Sequence, residues 1–258
     1  MERMVFTTLE AFFKAHPKAA VAFSGGVDSA FLLWAARQYG ADVHAYYVST
    51  AFQPAFEHED AKRLAEELGV PMTVVHTQIL ANAQVVTNGP DRCYHCKRAL
   101  FHQLCQHARA DGYALLLDGT NASDDAGDRP GMRALRELGV RSPLRECGLT
   151  KAEVRARSKE AGLFTWAKPA YACLATRIPT GMPITADLLE RVEQAETALH
   201  GLGFSDFRVR VTQEGLARLQ VTELQMARAF AARQAIEQAL KPAFSSVLLD
   251  LTARKASE

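Results

Sequence analysis

The sequence predicts an α/β fold: a doubly wound parallel sheet followed by a second, smaller α/β domain. Over roughly the first two thirds of the chain, short apolar segments alternate with longer helical segments, which is typical of a parallel sheet covered on both faces. The apolar segments are continuous rather than alternating, as in strands that are buried on both sides. The pattern changes after about Trp166, and we therefore expect domains at 1–168 and 169–258.

Four apolar runs are the predicted strands of the first domain, at 19–23, 43–48, 72–76 and 114–117. Helices are expected over 1–16, from the glycines after the first strand to about residue 38, over 57–68, from the segment 90–97 onward, and from the capping box of Thr150 and Glu153 to about residue 161. Folds of this kind bind ligands beyond the carboxyl ends of their strands. The loops after Phe23 and Leu117 are therefore the predicted site.

The second domain begins with an irregular stretch that contains Pro169, Pro179, Gly181 and Pro183. A helix is predicted next, followed by a hairpin, a second helix and a last strand. The predicted bounds are 186–200 for the first helix, 207–212 and 216–221 for the hairpin strands, 224–240 for the second helix and 246–251 for the last strand. These elements indicate a small domain of mixed α/β type.

The 258 residues are 48% hydrophobic and 23% charged, with a net charge of +1. Proteins that bind nucleic acid usually carry a basic excess, because phosphate neutralisation drives that binding; no nucleic-acid partner is expected. No apolar run reaches the roughly 18 residues that span a bilayer, and the first residues lack the apolar core of a signal peptide. We expect a cytoplasmic protein without a membrane partner.

The segment SGGVDS follows the first predicted strand. Gly25 and Gly26 let the backbone approach a phosphate without a Cβ, and N–H groups at a helix start attract pyrophosphate. Ser24 and Ser29 add hydroxyl donors, and Asp28 is a candidate Mg²⁺ ligand. No lysine follows the glycines, which excludes the GxxxxGK[ST] loop. The segment predicts binding of ATP with Mg²⁺; the alternative is a plain glycine-rich turn.

Three of the five cysteines are candidates for chemistry. Cys93 and Cys96 form a CxxC pair near a helix start, where thiolate is favoured, and Cys173 lies at the predicted domain junction. Three thiolates in one cleft suit a 4Fe–4S cluster with one open iron, whereas structural zinc needs a fourth ligand. Cys105 lies about 13 Å along the helix from Cys96, too far to share an ion, which leaves His95 as the candidate fourth ligand of zinc. Cys105 and Cys147 are interpreted as structural; reactive thiols or packing remain the alternatives for the other three.

Two arginines and one glutamate stand out in the second domain. Arg208 and Arg210 are two residues apart on a predicted strand and so share a face, and paired guanidinium groups suit a phosphate. The alternative is a solvated strand face. Glu196 is a candidate ligand for a metal or a substrate group, with a solvated helix face as the alternative.

The loop after the fourth predicted strand is polar and contains glycines. Its candidate nucleotide-binding residues are Gly119, Thr120 and Arg129, because they follow the carboxyl edge of the sheet. A surface loop without a ligand is the alternative.

These motifs together resemble the larE-type sulfur transferases, a subfamily of the PP-loop ATP pyrophosphatases that makes the nickel-pincer nucleotide of lactate racemase and related enzymes. The resemblance covers nearly the whole chain, and the combination is specific although no single later motif is. It rests on SGGVDS at 24–29, LDGTN at 117–121, DRPG at 128–131, ACLATRIPTG at 172–181 and GFxxxRVR at 203–210. It implies the adenine nucleotide alpha hydrolase-like fold.

The resemblance implies that ATP adenylates each carboxylate of a pyridinium-3,5-dicarboxylate mononucleotide and that sulfur then displaces AMP, giving a thiocarboxylate. It implies that Arg177, Arg208 and Arg210 bind this small-molecule substrate, that Glu196 helps at the metal or substrate site, and that the chain forms homo-oligomers, up to hexamers. A second acidic residue that the family places in the hairpin or the following helix is absent here, since Gln220 and Arg228 fall near the matching positions. The sulfur donor is not indicated.

The family has two versions. One sacrifices the sulfur of its own cysteine, and the other uses three cysteines, matching Cys93, Cys96 and Cys173, to hold a 4Fe–4S cluster that relays sulfide. The sacrificial cysteine aligns with Ala172 rather than Cys173, which favours the cluster. The alternatives are sacrificial transfer from Cys173, an ATP-dependent amide ligase with structural zinc, and a nucleotide-binding module without catalysis.

Overall fold

The computed structural model describes residues 6–124 and 130–256. The chain forms two compact units. The first contains the residues up to Thr50 together with Ala55–Ile79 and Cys93–Lys168, and the second contains Ala51–Pro54, Leu80–Arg92 and the residues from Pro169 onward. The two short segments 51–54 and 80–92 therefore belong with the C-terminal part of the chain.

The first unit is built on a four-stranded sheet, as the sequence predicts. Its strands are β1 (Lys18–Ala22), β2 (Asp42–Ser49), β3 (Met72–His76) and β4 (Leu116–Leu117). Their order is β3-β2-β1-β4, and all neighbouring pairs are parallel. The carboxyl ends of β1 and β4 are adjacent, because Val21 pairs with Leu117. The loops that follow these two strands therefore start side by side.

Eleven α-helices are found among the described residues. They are α1 (Leu9–Ala15), α2 (Val27–Gln38), α3 (Ala55–Glu67), α4 (Ala83–Val86), α5 (Arg92–Ala110), α6 (Pro130–Glu137), α7 (Pro143–Glu146), α8 (Lys151–Glu160), α9 (Ala186–Gly201), α10 (Glu223–Ala231) and α11 (Arg233–Leu240). The predicted capping box at the start of α8 is confirmed, with Thr150 and Glu153 bonded reciprocally. No helix of the described residues is long and apolar enough to cross a membrane.

Both faces of the four-stranded sheet are covered. Alternate residues of a strand point to opposite faces, and in β1 Ala19 and Val21 join one apolar cluster whereas Ala20 joins another. The first cluster takes residues from α1, α2, α3 and α8, and the second takes residues from α5 and α6. The doubly wound arrangement is confirmed.

The second unit contains a three-stranded sheet, with β5 (Arg208–Val211) antiparallel to β6 (Ala217–Gln220) and β7 (Val247–Leu249) parallel to β6. Helix α9 contacts β5, and α11 contacts α9. The prediction of one helix over 224–240 is wrong, because Ala232 (φ −87°, ψ 10°) ends α10 before α11 begins. Neither glycine nor proline marks this break in the sequence.

Candidate functional site

The loop between β1 and α2 is held by its two serines. The Ser24 backbone N–H donates to Ser29 Oγ at 3.2 Å, and the two hydroxyl oxygens lie 3.1 Å apart. Ser29 Oγ also donates to the carbonyl of Gly26, which is the N-cap of α2. The backbone of this turn is therefore fixed at the helix start, where peptide N–H groups and the helix dipole favour an anion.

Two glycines allow close packing around this turn. Gly25 has φ +72°, and a Cβ there would lie 3.1 Å from Cβ of Ala61. A Cβ on Gly119 would lie 2.8 Å from the backbone N of Ser29, a distance that side chains cannot adopt without displacement of the backbone. The loop after β4 is thus pressed against the first turn of α2 at Gly119, and the turn after β1 lies close to α3 at Gly25; both contacts favour glycine.

A cavity of about 590 Å³ opens in the first unit beside these two loops. The residues that line it come from the two loops, from α5 and from the start of α6. They are Ala22, Ser24, Gly26, Asp28, Ser29, Cys93, Lys97, Phe101, Asp118, Gly119, Thr120, Asp124, Pro130, Gly131 and Met132. Hydroxyl, carboxylate, ammonium and thiol groups therefore share one concave surface, as in small-molecule sites of proteins.

The Asp28 carboxylate makes two contacts in this region. Lys151 Nζ donates to Oδ2 at 2.5 Å, and the amide of Asn121 donates to Oδ1 at 3.2 Å. Asn121 is itself positioned by its backbone N–H, which donates to Asp124 at 2.9 Å. The carboxylate that the sequence analysis assigns to Mg²⁺ thus lies in an ion pair within its own chain.

Asp118 directly follows β4 and is 5% exposed. It accepts from the hydroxyl groups of Thr120 and Ser142, each at 2.5 Å. Burial raises the pKa of its carboxyl group, and the two hydroxyl bonds and the charge of Lys97 oppose that rise. Asp118 therefore ties the candidate residue Thr120 to the segment before α7.

Cys93 and Lys97 project from one side of α5, since residues four apart lie on the same helix face. Both line the cavity, Cys93 is exposed, and a Cβ on Gly131 would lie 2.9 Å from Lys97 Cδ. The glycine of the DRPG motif thus leaves room for the lysine chain. Cys96 lies on the same helix, in an environment of intermediate exposure.

A second polar cluster lies within the C-terminal unit, around a buried ion pair. Arg177 and Glu196 are 1% and 3% exposed, and they form a fork with distances of 2.8 and 3.0 Å. Glu196 also accepts from the Tyr171 hydroxyl and from the backbone N–H of Val209. Burial disfavours the charge of Arg177, but the ion pair outweighs it and raises the pKa of the guanidinium. The alternative of a solvated helix face for Glu196 is wrong.

Arg208 and Arg210 both contact the segment 170–176, as expected of alternate residues on one strand face. Arg208 donates to the carbonyl of Ala170 at 2.5 Å, and Arg210 donates to the carbonyl of Thr176 at 2.7 Å. Burial and the charge of Arg177 lower the pKa of Arg208 to about 10 and also lower that of Arg210. A solvated strand face is therefore wrong for Arg208, which is 8% exposed.

The backbone of the segment that carries Cys173 is held by two side chains that donate to its carbonyl groups. Arg177 donates to the carbonyl of Ala172 at 2.9 Å, and the Thr176 hydroxyl donates to that of Cys173 at 2.8 Å. Cys173 is the N-cap of a short 3₁₀ helix, Leu174–Arg177. The conformation around this thiol thus depends on the arginine cluster.

Comparison with known proteins gives the family. The chain is 36% identical over 218 residues, covering 84% of it and 79% of the relative, to the pyridinium-3,5-bisthiocarboxylic acid mononucleotide synthase of Lactiplantibacillus plantarum. The chain belongs to the larE-type sulfur transferases of the PP-loop ATP pyrophosphatases. As a member of that family it is an enzyme.

Three further similarities agree with this assignment. An uncharacterised protein of Synechocystis is 39% identical over 216 residues, with coverage of 83% of this chain and 80% of that protein. A tRNA-specific 2-thiouridylase of Pseudothermotoga lettingae is 27% identical over 58% of this chain and 54% of its own length. The model of the queuosine biosynthesis protein QueC matches residues 18–89, which include the SGGVDS loop.

The residues predicted for this larE-type enzyme fall into two groups. Ser24, Gly26, Asp28, Ser29, Gly119, Thr120 and Cys93 line one cavity, and Arg177, Glu196, Arg208 and Arg210 form one cluster in the second unit. Gly25 lies in the loop beside the cavity without lining it, and Arg129 lies outside the described residues. Cys96 belongs to the first unit and Cys173 to the second.

Several residues of the larE-type site are not evident from the sequence. Lys97 and Asp118 line the cavity, and Lys151 pairs with Asp28. Asp118 lies within the LDGTN motif and could have been singled out as the acidic residue at a strand end. Lys151 is 123 residues from its partner, and no local pattern connects the two.

The cysteines outside the predicted metal site pack against apolar residues. Cys105 is buried in the cluster that covers one sheet face, and Cys147 packs against the other cluster. Burial raises the pKa of both thiols, that of Cys147 to about 11. Across 6–124 and 130–256, no three His, Cys, Asp or Glu side chains form a group that could hold a metal ion. The 4Fe–4S cluster of the larE-type enzyme stays a prediction.

Proposed function

We propose that this enzyme uses ATP to adenylate the carboxylates of pyridinium-3,5-dicarboxylate mononucleotide and converts them to thiocarboxylates. The observation that carries the proposal is the shared cavity: the thiol of Cys93 lines the same 590 Å³ space as the SGGVDS loop. The name of the Lactiplantibacillus plantarum relative supports the substrate, since that protein is a synthase of the bisthiocarboxylic acid mononucleotide.

In this proposal the phosphates of ATP bind at the start of α2. Gly26 and Ser24 line the cavity there, and the hydroxyls of Ser29 and Thr120 lie beside them. Mg²⁺ prefers carboxylate and other oxygen ligands, and the residues present fit it, because Asp28 and Asp124 both line the cavity. When bound, the ion neutralises charge that develops on the phosphates.

The first chemical step is an in-line displacement at the α-phosphorus. A carboxylate oxygen of the substrate forms a bond to this phosphorus, and the bond to the bridging oxygen breaks, so that pyrophosphate leaves with the electron pair. The product is an acyl-adenylate. Lys97, which lines the cavity, supplies positive charge next to the leaving group, and such preorganised charge stabilises a transition state.

The arginine cluster is proposed to hold the phosphate of the substrate nucleotide. Burial and, after it, the charge of Arg177 lower the pKa of both Arg208 and Arg210, so the charge of Arg177 repels the other two guanidinium groups. A dianionic phosphate would relieve that repulsion and accept paired N–H bonds. Within the cluster we assign Glu196 to positioning, because Arg177, Tyr171 and Val209 already occupy its carboxylate.

The second step transfers sulfur. A sulfide attacks the carbonyl carbon of the acyl-adenylate, the bond from that carbon to the phosphate oxygen breaks, and AMP leaves with the electron pair. The thiolates of Cys93, Cys96 and Cys173 would hold the 4Fe–4S cluster, which supplies an iron-bound sulfide when present. Cys93 and Cys96 fit this role, because they lie one helical turn apart on α5.

The test is catalytic turnover with anaerobically purified enzyme, measured as pyrophosphate and thiocarboxylate formed from ATP, the dicarboxylate nucleotide and sulfide. We expect iron and sulfide in the purified protein. Changing Cys93, Cys96 or Cys173 to Ala should abolish thiocarboxylate formation and leave pyrophosphate release intact. The matched control is Cys147→Ala, whose thiol is packed against the apolar core.

Each alternative gives a different outcome. A single turnover that converts Cys173 to dehydroalanine, seen by mass spectrometry, indicates sacrificial sulfur transfer. A colourless zinc protein that forms an amide with ammonia indicates the ligase. Absence of pyrophosphate with any carboxylate nucleotide indicates a module that only binds nucleotide, and it overturns the proposal as a whole.

A further inference from the structure

The Asp28 carboxylate forms a salt bridge with a lysine of its own chain. Lys151 Nζ lies 2.5 Å from Asp28 Oδ2, and the two side chains are 18% and 22% exposed. The second carboxylate oxygen accepts from Asn121. An ammonium group therefore lies where the SGGVDS motif is expected to present a carboxylate to Mg²⁺.

The backbone of Lys151 is fixed, whereas its side chain is long. Lys151 is the first residue of α8, directly after the N-cap Thr150 and within the capping box that Thr150 forms with Glu153, and its backbone N–H donates to Ser123 Oγ at 3.0 Å. Four methylene groups separate this anchor from the ammonium, which is a flexible arrangement. The ammonium can change partner without any change in the start of α8.

Charge balance indicates what that partner is. Among the described residues that line the cavity, Asp28, Asp118 and Asp124 are acidic and Lys97 is the one lysine. A triphosphate brought into this space needs more positive charge than Lys97 provides. Lys151 lies in contact with Asp28 at the edge of the cavity and is placed to supply it.

We propose that Lys151 and Mg²⁺ compete for the Asp28 carboxylate, and that Lys151 transfers its charge to the β- and γ-phosphates when Mg²⁺–ATP binds. A carboxylate favours a hard divalent cation over an ammonium. Once displaced, Lys151 stabilises the pyrophosphate that leaves the α-phosphorus. The inference rests on the adenylation step of the proposed function and is independent of the source of sulfur.

The first test measures binding rather than turnover. Mn²⁺ stands in for Mg²⁺, and its binding without nucleotide is followed by electron paramagnetic resonance. Removal of the competing ammonium in Lys151→Met should tighten Mn²⁺ binding by about tenfold, equivalent to ~1.4 kcal/mol. Asp28→Asn should remove this binding in both backgrounds. Unchanged or weaker Mn²⁺ binding by Lys151→Met overturns the competition.

The matched control is Lys168→Met. Lys168 Nζ pairs with Asp60 at 2.6 Å, with 16% and 32% exposure, in the same unit, and neither residue lines the cavity. This variant loses a similar ion pair and should leave Mn²⁺ binding unchanged. If Lys151→Met does not fold, Lys151→Gln, which keeps a polar chain end, replaces it in each measurement.

The second test measures adenylation at saturating Mg²⁺, by exchange of labelled pyrophosphate into ATP with the dicarboxylate nucleotide present. We expect Lys151→Met to lower the exchange rate by about 10²-fold, the size found for loss of one group that stabilises a developing anion. Lys151→Arg should restore part of the rate because it keeps the charge.

If Lys151 had only a structural role, its substitution would lower both the Mn²⁺ affinity and the rate of pyrophosphate exchange. Tighter Mn²⁺ binding together with slower pyrophosphate exchange therefore indicates that Lys151 moves from Asp28 to the phosphates. An undiminished rate in Lys151→Met overturns the second half of the inference. If the wild-type enzyme shows no exchange, the adenylation proposal fails, while the Mn²⁺ measurement still decides whether Lys151 competes for Asp28.

Discussion

The two polar regions of this enzyme are built in opposite ways. The cavity of the first unit is shaped by backbone, with glycines packed closely at Gly25 and Gly119, and its hydroxyl and carboxylate groups face about 590 Å³ of space. The arginine cluster of the second unit is closed, and Arg177, Arg208 and Arg210 each donate to carbonyl or carboxylate groups of their own unit.

This difference indicates different routes to ligand binding. A nucleotide can enter the preformed cavity with little rearrangement of backbone, which limits the entropy that binding must overcome. A phosphate at the arginine cluster must replace existing bonds to the carbonyls of Ala170 and Thr176. Because those carbonyls flank Cys173, substrate binding and the conformation of the Cys173 segment are coupled in the proposed function.

The largest effect is expected from breaking the closed cluster. Glu196→Ala leaves Arg177 buried without its carboxylate, and loss of one partner of a buried pair costs about 3–5 kcal/mol. Urea denaturation should show this loss in the free energy of unfolding, and hydrogen exchange should locate it in α9 and β5.

An ion pair on the same helix provides the comparison for Glu196→Ala. Asp187 pairs with Arg191 at 3.5 Å, and its side chain is 76% exposed. Asp187→Asn should change the free energy of unfolding by about 0.5 kcal/mol or less, as for other exposed pairs. Equal effects of the two variants would show that the cluster is not closed in solution.

An intermediate effect is expected from altering the backbone-shaped cavity. Gly119→Ala places a methyl group 2.8 Å from the backbone N of Ser29, and overpacking of this kind costs about 1–3 kcal/mol. We also expect weaker ATP binding, measured by calorimetry, because the first turn of α2 must move.

Gly201→Ala is the control for added volume at a glycine. Gly201 lies at the end of α9, and no heavy atom lies within 4 Å of the position that an alanine methyl group would take there. Alanine should therefore leave ATP binding unchanged and raise helix stability by about 0.5–1 kcal/mol. Unaltered ATP affinity in Gly119→Ala would mean that the cavity is less rigid than its packing indicates.

Local signals explain which parts of the fold could be predicted. The strand before SGGVDS, the parallel sheet and the capping box at Thr150 are each predicted from local sequence patterns, and all three are confirmed. The break at Ala232 escapes prediction because its backbone conformation (φ −87°, ψ 10°) has no glycine or proline to signal it.

Contacts between distant residues explain most of what the sequence does not reveal about the site. Lys151 reaches Asp28 across 123 residues, and no periodicity or motif records such a pairing. The sequence suggests ligand binding or a solvated face for Glu196. In the structure its carboxylate accepts hydrogen bonds from Arg177, from the Tyr171 hydroxyl and from the Val209 backbone N–H. A side chain's polarity is visible in the sequence, whereas its burial is decided by the tertiary fold.

The smallest effect is expected from Asp118, the buried carboxyl group at the start of the loop after β4. Since its pKa is raised in the folded state, the folded protein binds this proton more tightly than the unfolded chain does. Its contribution to stability is therefore present at low pH and is lost as pH rises through the folded-state pKa. Asp118→Asn should flatten this part of the pH dependence and change stability at pH 7 by about 1 kcal/mol or less, because an amide oxygen still accepts one hydroxyl bond.

The measurement for Asp118 is the difference in the free energy of unfolding between wild type and variant from pH 4 to pH 7. Subtraction removes the contribution of the other carboxyl groups, which titrate alike in both proteins. The stability of wild type relative to either variant should fall as pH rises; Asp118→Ala should flatten the pH dependence as Asp118→Asn does but destabilise more, since it leaves the hydroxyls of Thr120 and Ser142 without their acceptor. A difference that grows as pH falls, with wild type becoming the less stable protein, would mean that Asp118 is stabilised as a carboxylate. The cavity would then present a permanent negative charge to the phosphates, and Lys97 and Lys151 would have to offset that charge as well as the charge of ATP.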